Sequence, residues 1–233
     1  MKRKPIIAVI MDENTSTGGN LYETSKSYFT ALARSGALPF GIPYLPQIVD
    51  PVVEEFDGFL SVGGRIKFPE HWYVEGDQSQ YAPSERLSVE LALMEGFLAR
   101  NKPVLGICNG MQMLGCLHGC RMVSDVCSSR PGAINHDQGG GLLHEVIVQA
   151  GTKMADIFSA ETFSVNTYHR EAIVELSADV IATAHGADGV VEAIEVPSRS
   201  FAMGLQWHPE LLDADTHPGA RIFDAFVEFA SLR

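Results

Sequence analysis

Residues 102–119, KPVLGICNGMQMLGCLHG, decide the fold because they read as a strand, a tight turn and a helix in succession. Residues 103–107 are short, apolar and β-branched, as in a buried parallel strand, and residues 111–117 have helix-forming composition. Cys108 therefore falls on the turn that joins the predicted strand to the predicted helix.

Gly106 and Gly110 flank Cys108 in the pattern Gly-x-Cys-x-Gly. A side chain raised on a tight, strained turn needs neighbours without a Cβ. The amino end of the following helix would favour the thiolate, which is the reactive form of cysteine. The alternative is a buried structural cysteine, the common role of a lone free cysteine. A nucleophile is the stronger interpretation only if the chain also supplies a partner.

Residues 204–210, GLQWHPE, supply candidate partners: His208 follows a short apolar strand, and Glu210 lies beyond Pro209. A cysteine nucleophile needs a base, and the base needs an orienting group. The proline restricts the backbone, so the carboxylate can be held against the imidazole and fix its tautomer. Alone, this pattern more often marks a surface histidine beside an acid. Together with Cys108, it indicates a Cys-His-Glu triad.

Acyl transfer also needs N–H donors for an oxyanion. In a strand-turn-helix site, one donor is the backbone of the residue after the nucleophile, here Asn109, and the other comes from a neighbouring strand-end loop. Gly63-Gly64 follows the third predicted strand and suits that role, although an ordinary turn is the alternative. Phosphate binding is disfavoured, because neither this pair nor Gly139-Gly140-Gly141 belongs to a GxxxxGK or GxGxxG pattern.

The order of predicted elements indicates the fold class. The first half alternates predicted strands (5–11, 38–43, 57–62, 103–107) with predicted helices (20–35, 49–56, 84–101, 111–117). The second half carries short predicted strands (143–149, 162–166, 180–184, 190–196, 201–207) before a helix at 220–232. This order predicts an α/β fold with a doubly wound, mostly parallel central sheet, helices on both faces and an antiparallel extension. We expect a single domain over residues 1–233, with the candidate site at the carboxyl ends of the strands.

Composition excludes several functions. Lys and Arg number 17 against 29 Asp and Glu, a net charge of −12, which argues against binding to nucleic acid or an anionic membrane. No stretch has the length of a membrane span, and the amino end lacks a signal-peptide pattern, so a cytoplasmic location is expected. The four cysteines contain no C-x-x-C pair, and we expect neither a metal nor an organic cofactor.

The three elements together resemble the class I glutamine amidotransferase family, which has a flavodoxin-like sheet, over nearly the whole chain. The resemblance is strongest to its stand-alone γ-glutamyl-γ-aminobutyrate hydrolase (peptidase C26) branch, since residues 165–169, VNTYH, are similar to that branch's Val-Asn-Ser-x-His segment. It implies hydrolysis of a small γ-glutamyl amide through a γ-glutamyl thioester. The implied roles are Cys108 as nucleophile, His208 as base and acid, Glu210 as orienting group, Gly64 and Asn109 as oxyanion donors, and Gly63, Gln112 and His169 as substrate-binding residues, with a structural role for His169 equally open.

The chain departs from the branch at several positions outside the triad. Asn109 stands where the branch commonly has Arg, Arg65-Ile66-Lys67 where an Asp is common, and Arg170-Glu171 where His-Gln is usual. The basic residues at 65 and 67 either favour an acidic leaving group or lie on a solvated loop. Two other functions fit the same residues: a glutaminase subunit that passes ammonia to a separate synthetase, and a non-catalytic binding protein. The amine half of the substrate stays open, and a homodimer is compatible with the sequence.

Overall fold

A nine-stranded sheet runs through the part of the chain that the computed structural model describes, residues 3–14, 18, 21–137 and 143–232. Two small two-stranded sheets, β2 with β3 and β7 with β10, accompany it. The strands are β1 (Ile6–Ile10), β2 (Asp12–Glu13), β3 (Tyr22–Glu23), β4 (Leu38–Ile42), β5 (Gly58–Ser61), β6 (Val104–Ile107), β7 (Arg121–Val123), β8 (Leu143–Val148), β9 (Thr162–Asn166), β10 (Ala172–Glu175), β11 (Ile181–Gly186), β12 (Val191–Glu195) and β13 (Ala202–Leu205).

The large sheet has the order β4-β1-β5-β6-β13-β12-β11-β8-β9. Its first five strands are parallel. From β13 onward every neighbouring pair is antiparallel. The prediction of a mostly parallel sheet with an antiparallel extension from the second half of the chain is therefore confirmed.

Helices cover both faces of the parallel part. They are α1 (Lys26–Arg34), α2 (Val49–Glu55), α3 (Arg86–Ala99), α4 (Asn109–Leu117), α5 (Val126–Ser129), α6 (Lys153–Phe158) and α7 (Ile222–Ala230). The chain leaves β1 in one direction along the sheet and leaves β5 in the other, so right-handed crossovers place α1 and α3 on opposite faces. Accordingly, α1 packs with α7, and α2 packs with α3. Across the described ranges, no helix combines the length and apolar character needed to cross a bilayer.

Local signals explain where several helices begin. The Ser25 hydroxyl accepts a hydrogen bond from the Ser27 amide at the start of α1, and Thr152 caps α6 in the same way. Ser84 was predicted to cap the helix before the nucleophile, and its hydroxyl accepts from the Arg86 amide at 3.1 Å. Side-chain oxygens thus satisfy amides that the first turn of a helix leaves unpaired.

Three predictions about elements were inaccurate. The helix predicted at 20–35 begins only at Lys26, because residues 22–23 pair with residues 12–13 as β3 and β2. An apolar stripe at Leu87, Leu91, Met94 and Leu98 is expected for the helix predicted at 84–101, but Leu87 and Leu91 are only partly buried, and α3 instead buries Val89, Leu93 and Phe97 together with two charged residues. The short elements β7, β10, α5 and α6 were not predicted. The Gly139-Gly140-Gly141 run, considered above as a phosphate-binding pattern, lies outside the described residues.

Three adjacent parallel strands position the candidate site. β5, β6 and β13 lie side by side, and their carboxyl ends meet at one edge of the sheet. Gly63-Gly64 follows β5, Cys108 follows β6 and His208 follows β13. The connections also reverse direction between β1 and β5, which is where doubly wound sheets form their binding crevices.

Candidate active site

Cys108 has a strained backbone on the turn between β6 and α4. Its φ of 53° and ψ of −104° lie in a region that residues with a Cβ rarely adopt. Its amide donates to the Leu205 carbonyl of β13 at 2.7 Å, which ties the turn to the neighbouring strand. Strained residues of this kind concentrate at functional sites, where the surrounding structure holds them in place.

The two glycines that flank Cys108 are sterically required. A Cβ on Gly106 would collide with the backbone of Gly110, and a Cβ on Gly110 would collide with the backbone and hydroxyl of Ser61 on β5. The first turn of α4 therefore packs directly against two strands. This close packing is the physical reason for the Gly-x-Cys-x-Gly pattern.

His208 and Glu210 form a hydrogen-bonded pair beside Cys108. His208 Nδ1 lies 2.7 Å from Glu210 Oε1, and because a carboxylate oxygen only accepts, Nδ1 carries the proton. Burial disfavours a charge on the imidazole, but hydrogen bonds with Cys108 and Glu210 outweigh it and raise the pKa of His208 to about 10. The imidazole is therefore protonated near neutral pH.

The backbone and ring of His208 are both held. The Asn166 side chain at the end of β9 donates to the His208 carbonyl and accepts from its amide, each at 2.9 Å. The Tyr168 ring meets the imidazole edge-on at a centroid distance of 5.2 Å. A Cβ on Gly63 would lie 2.7 Å from His208 Cε1, so this position must be glycine for the ring to fit.

Tyr28 on α1 connects the histidine to the Gly63-Gly64 loop. Its hydroxyl accepts from the Gly63 amide at 3.2 Å and lies 3.3 Å from His208 Nδ1. Burial raises the pKa of Tyr28 well above its usual range, so the hydroxyl keeps its proton. One side chain thus fixes two parts of the candidate site that come from different strands.

Arg86 on α3 holds the Gly63-Gly64 loop from beneath. Its fully buried guanidinium donates to the Val62 carbonyl at 2.6 Å and to the Gly63 carbonyl at 3.0 Å. Its charge is balanced by Glu90, at 2.7 Å, and by Asp12, at 3.2 Å. These bonds fix the peptide planes that precede Gly64. Among the described residues, the Gly64 and Asn109 amides donate to no other group, so both are available to a ligand.

A cavity of about 600 Å³ contains most of the predicted site residues. Its wall includes Gly63, Gly64, Cys108, Gln112, His169, His208 and Glu210. Asn109, the predicted second oxyanion donor, does not line the cavity and is almost fully buried. The volume is typical of small-molecule sites.

The two predicted substrate-binding side chains also have structural contacts. Gln112 donates to the Glu171 carbonyl at 2.8 Å and to Gln206 Oε1 at 3.2 Å. His169 Nδ1 donates to the same Glu171 carbonyl at 3.1 Å, and burial lowers the pKa of His169 to about 4. Both side chains therefore have a structural role, because each donates a hydrogen bond to the Glu171 carbonyl.

The charged wall of the cavity includes residues that differ from the family pattern. Arg65 and Arg170 line it, whereas Lys67 lies outside it. Arg65 pairs with Asp137 at 2.7 Å while remaining more than half exposed. Burial raises the pKa of Glu171 to about 7, although Tyr73 and Ser79 hydroxyls donate to its carboxylate. The cavity thus presents both cationic and acidic groups.

Sequence reasoning did not find Tyr28, Asn166 or Arg86 as parts of this site. Tyr28 was taken as one apolar position of a helix, and Asn166 only as part of a matching segment. Arg86 carried a usable signal, because Arg86 and Glu90 stand four residues apart on the face that also carries the buried apolar residues of α3. An ion pair on an apolar face predicts a buried charge network.

Comparison with known proteins identifies the family of this chain. A family model described as peptidase C26 matches residues 5–210. The gamma-glutamyl-gamma-aminobutyrate hydrolase of Escherichia coli O157:H7 is 27% identical over 235 residues, which cover 96% of this chain and 92% of that protein. Protein NtpR of Enterococcus hirae is 28% identical over 236 residues, covering 96% and 98%. The glutaminase domain of Trypanosoma brucei CTPS, solved with bound acivicin, has the same fold, with a TM-score of 0.69 at 16% identity and coverage of 98% and 94%. The chain belongs to the peptidase C26 family and is a glutamine-amidotransferase-like hydrolase.

Proposed function

We propose that this hydrolase cleaves the γ-glutamyl amide bond of a small molecule through a thioester on Cys108. The observation that carries the proposal is the strained cysteine at the end of β6, which lines one cavity together with His208 and the Gly63-Gly64 loop. The name of the Escherichia coli relative supports γ-glutamyl-γ-aminobutyrate as the first substrate to test.

The first half of the reaction forms the thioester. The Cys108 thiolate attacks the γ-carbonyl carbon, and the amides of Gly64 and Asn109 stabilise the negative oxygen of the tetrahedral intermediate. The C–N bond then breaks as protonated His208 gives its proton to the leaving nitrogen. The pKa of His208, raised to about 10, keeps this proton available at neutral pH.

The second half releases the γ-glutamyl group. Neutral His208 takes a proton from water, and the hydroxide attacks the thioester carbonyl. The C–S bond breaks, the Cys108 thiolate leaves, and protonated His208 is restored. Glu210 keeps the imidazole in one tautomer through both halves. The balance is one amide and one water converted to a carboxylic acid and an amine.

Charges at the cavity mouth favour a substrate with carboxylate and amino groups. Arg65 and Arg170 offer cationic groups to carboxylates. Asp12 and Glu23, which also line the cavity, offer acceptors to an amino group. A γ-glutamyl compound carries both kinds of group, which supports this substrate class over an apolar amide.

The test measures amine release by mass spectrometry with γ-glutamyl-γ-aminobutyrate, other γ-glutamyl amides and glutamine as substrates. Wild type should release the amine, and Cys108→Ala should lose activity while Cys127→Ala, a change at an exposed cysteine, should retain it. Intact-protein mass of wild type, quenched in acid during turnover, should show a γ-glutamyl adduct that Cys108→Ala lacks. Equal turnover by wild type and Cys108→Ala would refute the mechanism.

The same experiment separates the two alternatives. Glutamine hydrolysis that rises only when a co-purifying synthetase is added would identify a glutaminase subunit instead. A protein without turnover, whose Cys108 reacts with iodoacetamide no faster than the buried Cys116 and Cys120, would be a binding protein.

A further inference from the structure

We propose that His136, His144 and Glu192 bind one divalent transition-metal ion of the zinc class, with His169 as the fourth ligand on the side of the active-site cavity. The sequence led us to expect no metal, because only the cysteines had a spacing worth considering. These four residues are far apart in the sequence, and the antiparallel half of the sheet brings them together. The proposal is independent of the thioester chemistry.

Three imidazoles converge on one carboxylate oxygen. His136 Nδ1, His144 Nε2 and His169 Nε2 lie 3.6, 3.5 and 3.5 Å from Glu192 Oε1. Zinc bonds to nitrogen and oxygen of about 2.0–2.2 Å place tetrahedral ligands about 3.3–3.6 Å apart. The candidate ligand atoms of His136, His144 and Glu192 all lie within 4.8 Å of one another. The separations therefore fit ligands around a shared ion better than direct hydrogen bonds.

The cluster is buried and lacks hydrogen-bond partners. The Glu192 side chain has no exposed surface, and among the described residues neither of its oxygens has a hydrogen-bond partner. The same holds for both ring nitrogens of His144 and for His169 Nε2. A buried carboxylate without a partner is costly, and native proteins seldom leave several such atoms together. A cation at the centre would satisfy all of them.

Hydrogen bonds hold the rings of His136 and His169 with one nitrogen facing away from Glu192 and the other facing its carboxylate. His169 Nδ1 donates to the Glu171 carbonyl, so Nε2 presents a lone pair to the Glu192 oxygen. His136 Nε2 lies 3.0 Å from Asp188 Oδ2, which makes it a protonated nitrogen, and Nδ1 lies 3.0 Å from the Thr167 hydroxyl, a contact that it would exchange for the ion. The nearby Thr167 hydroxyl gives its own proton to the His136 carbonyl. A carboxylate or carbonyl behind each ligating imidazole is the usual outer partner in zinc sites.

The donor set determines the class of ion. Three neutral imidazoles and one carboxylate suit zinc or a neighbouring transition metal, whereas magnesium and calcium prefer oxygen ligands. A Cβ on Gly186 of β11 would meet Asp188 and lie 3.6 Å from His144 Nδ1, so glycine lets the Asp188 carboxylate and the His144 ring approach this strand. A bound ion would join β8, β12 and the two loops that hold His136 and His169. Because His169 lines the cavity, the ion would brace that wall.

The experiment is metal analysis of the full chain purified without a metal-affinity step. Inductively coupled plasma mass spectrometry should find about one zinc per chain. After dialysis against a chelator, titration with Co²⁺ should give a saturable visible absorption of tetrahedral character. His144→Gln and Glu192→Gln should each weaken metal binding about 100-fold or more. Substitution of a residue that only hydrogen-bonds to a zinc ligand already weakens binding about 10–100-fold.

Two controls localise the ion. His185→Gln changes a partly buried histidine on β11, between the ligand strands, and should leave binding unchanged. Cys108→Ala should also keep the metal, whereas its loss there would mean that the catalytic residues hold it. The proposal would be overturned if folded wild type contained no zinc and gave no saturable Co²⁺ spectrum. The Glu192 carboxylate and the imidazoles would then share a proton instead of a metal ion. Unchanged binding by folded Glu192→Gln and His144→Gln would overturn it as well.

Discussion

The strained backbone at Cys108 predicts that glycine is tolerated there far better than at a regular helical position. Alanine keeps a Cβ at φ 53° and ψ −104°, while glycine adopts this region as readily as its mirror image. Cys116, buried in the last turn of α4, is the comparison position without strain. The comparison is between the alanine-to-glycine step at 108 and the same step at 116.

The magnitude follows from the two backbones. At position 116 glycine costs roughly 1 kcal/mol in helix propensity relative to alanine, with up to about 0.8 kcal/mol more for the lost buried carbon. At position 108 the substitution of alanine by glycine has similar costs, but it also relieves about 1–3 kcal/mol of backbone strain. We therefore expect the change from alanine to glycine to lower the free energy of unfolding by about 1–3 kcal/mol less at position 108 than at position 116.

The assay is urea unfolding of Cys108→Ala, Cys108→Gly, Cys116→Ala and Cys116→Gly under reducing conditions, with equal m-values required for the comparison. Equal costs of the two alanine-to-glycine steps would show that the turn stores no strain. The reasoning from backbone geometry to a poised nucleophile would then be wrong.

The remaining predictions concern the groups around the cysteine. The pKa of His208 is raised to about 10, so the stabilisation from its protonated form is complete below pH 6.5 and is lost as pH rises through about 10. Glu210→Gln should move the alkaline fall of amine-release rate to lower pH, and an unmoved limb would contradict the pairing. Tyr28→Phe should lower kcat about 10–100-fold with little change in KM, since hydrogen bonds to charged groups contribute about 1.5–3 kcal/mol; a pure KM effect would place the hydroxyl on the substrate instead. Arg86→Met should lose about 3–5 kcal/mol of unfolding free energy because it leaves Glu90 buried and uncompensated. The Arg86→Met/Glu90→Met double variant should recover part of that loss, and additive losses in urea unfolding would argue against the ion pair.

Local patterns were sufficient to predict the fold class and the candidate triad. Cys108 and His208 each follow a short apolar run, and the carboxyl ends of neighbouring parallel strands meet at one edge of a sheet. Adjacency in the sheet could therefore be inferred without knowing the strand order. Glycine at 106 and 110 added a steric requirement that few other functions impose.

Residues whose roles depend on tertiary contacts could not be predicted in this way. Tyr28 lies 180 residues before His208, and nothing near it in the sequence indicates a polar contact. Arg86 and Glu90 are fully buried on α3, and residue type alone does not predict that two charged residues lie in the core. His144 and Glu192 lie on short strands with ordinary alternation, and only the order of β8, β11 and β12 brings them together.

The position of β13 in the sheet has a consequence for how the protein is made. This strand comes last of the described strands in the chain, yet it lies in the middle of the sheet, between β6 and β12. While a ribosome is still synthesising residues 202–205, the edge of β6 has no partner, and the thiol of Cys108 has no imidazole beside it. Long-range pairing of this kind is slow and exposes strand edges to aggregation. The central sheet and the pairing of Cys108 with His208 therefore cannot be complete before β13 has been synthesised.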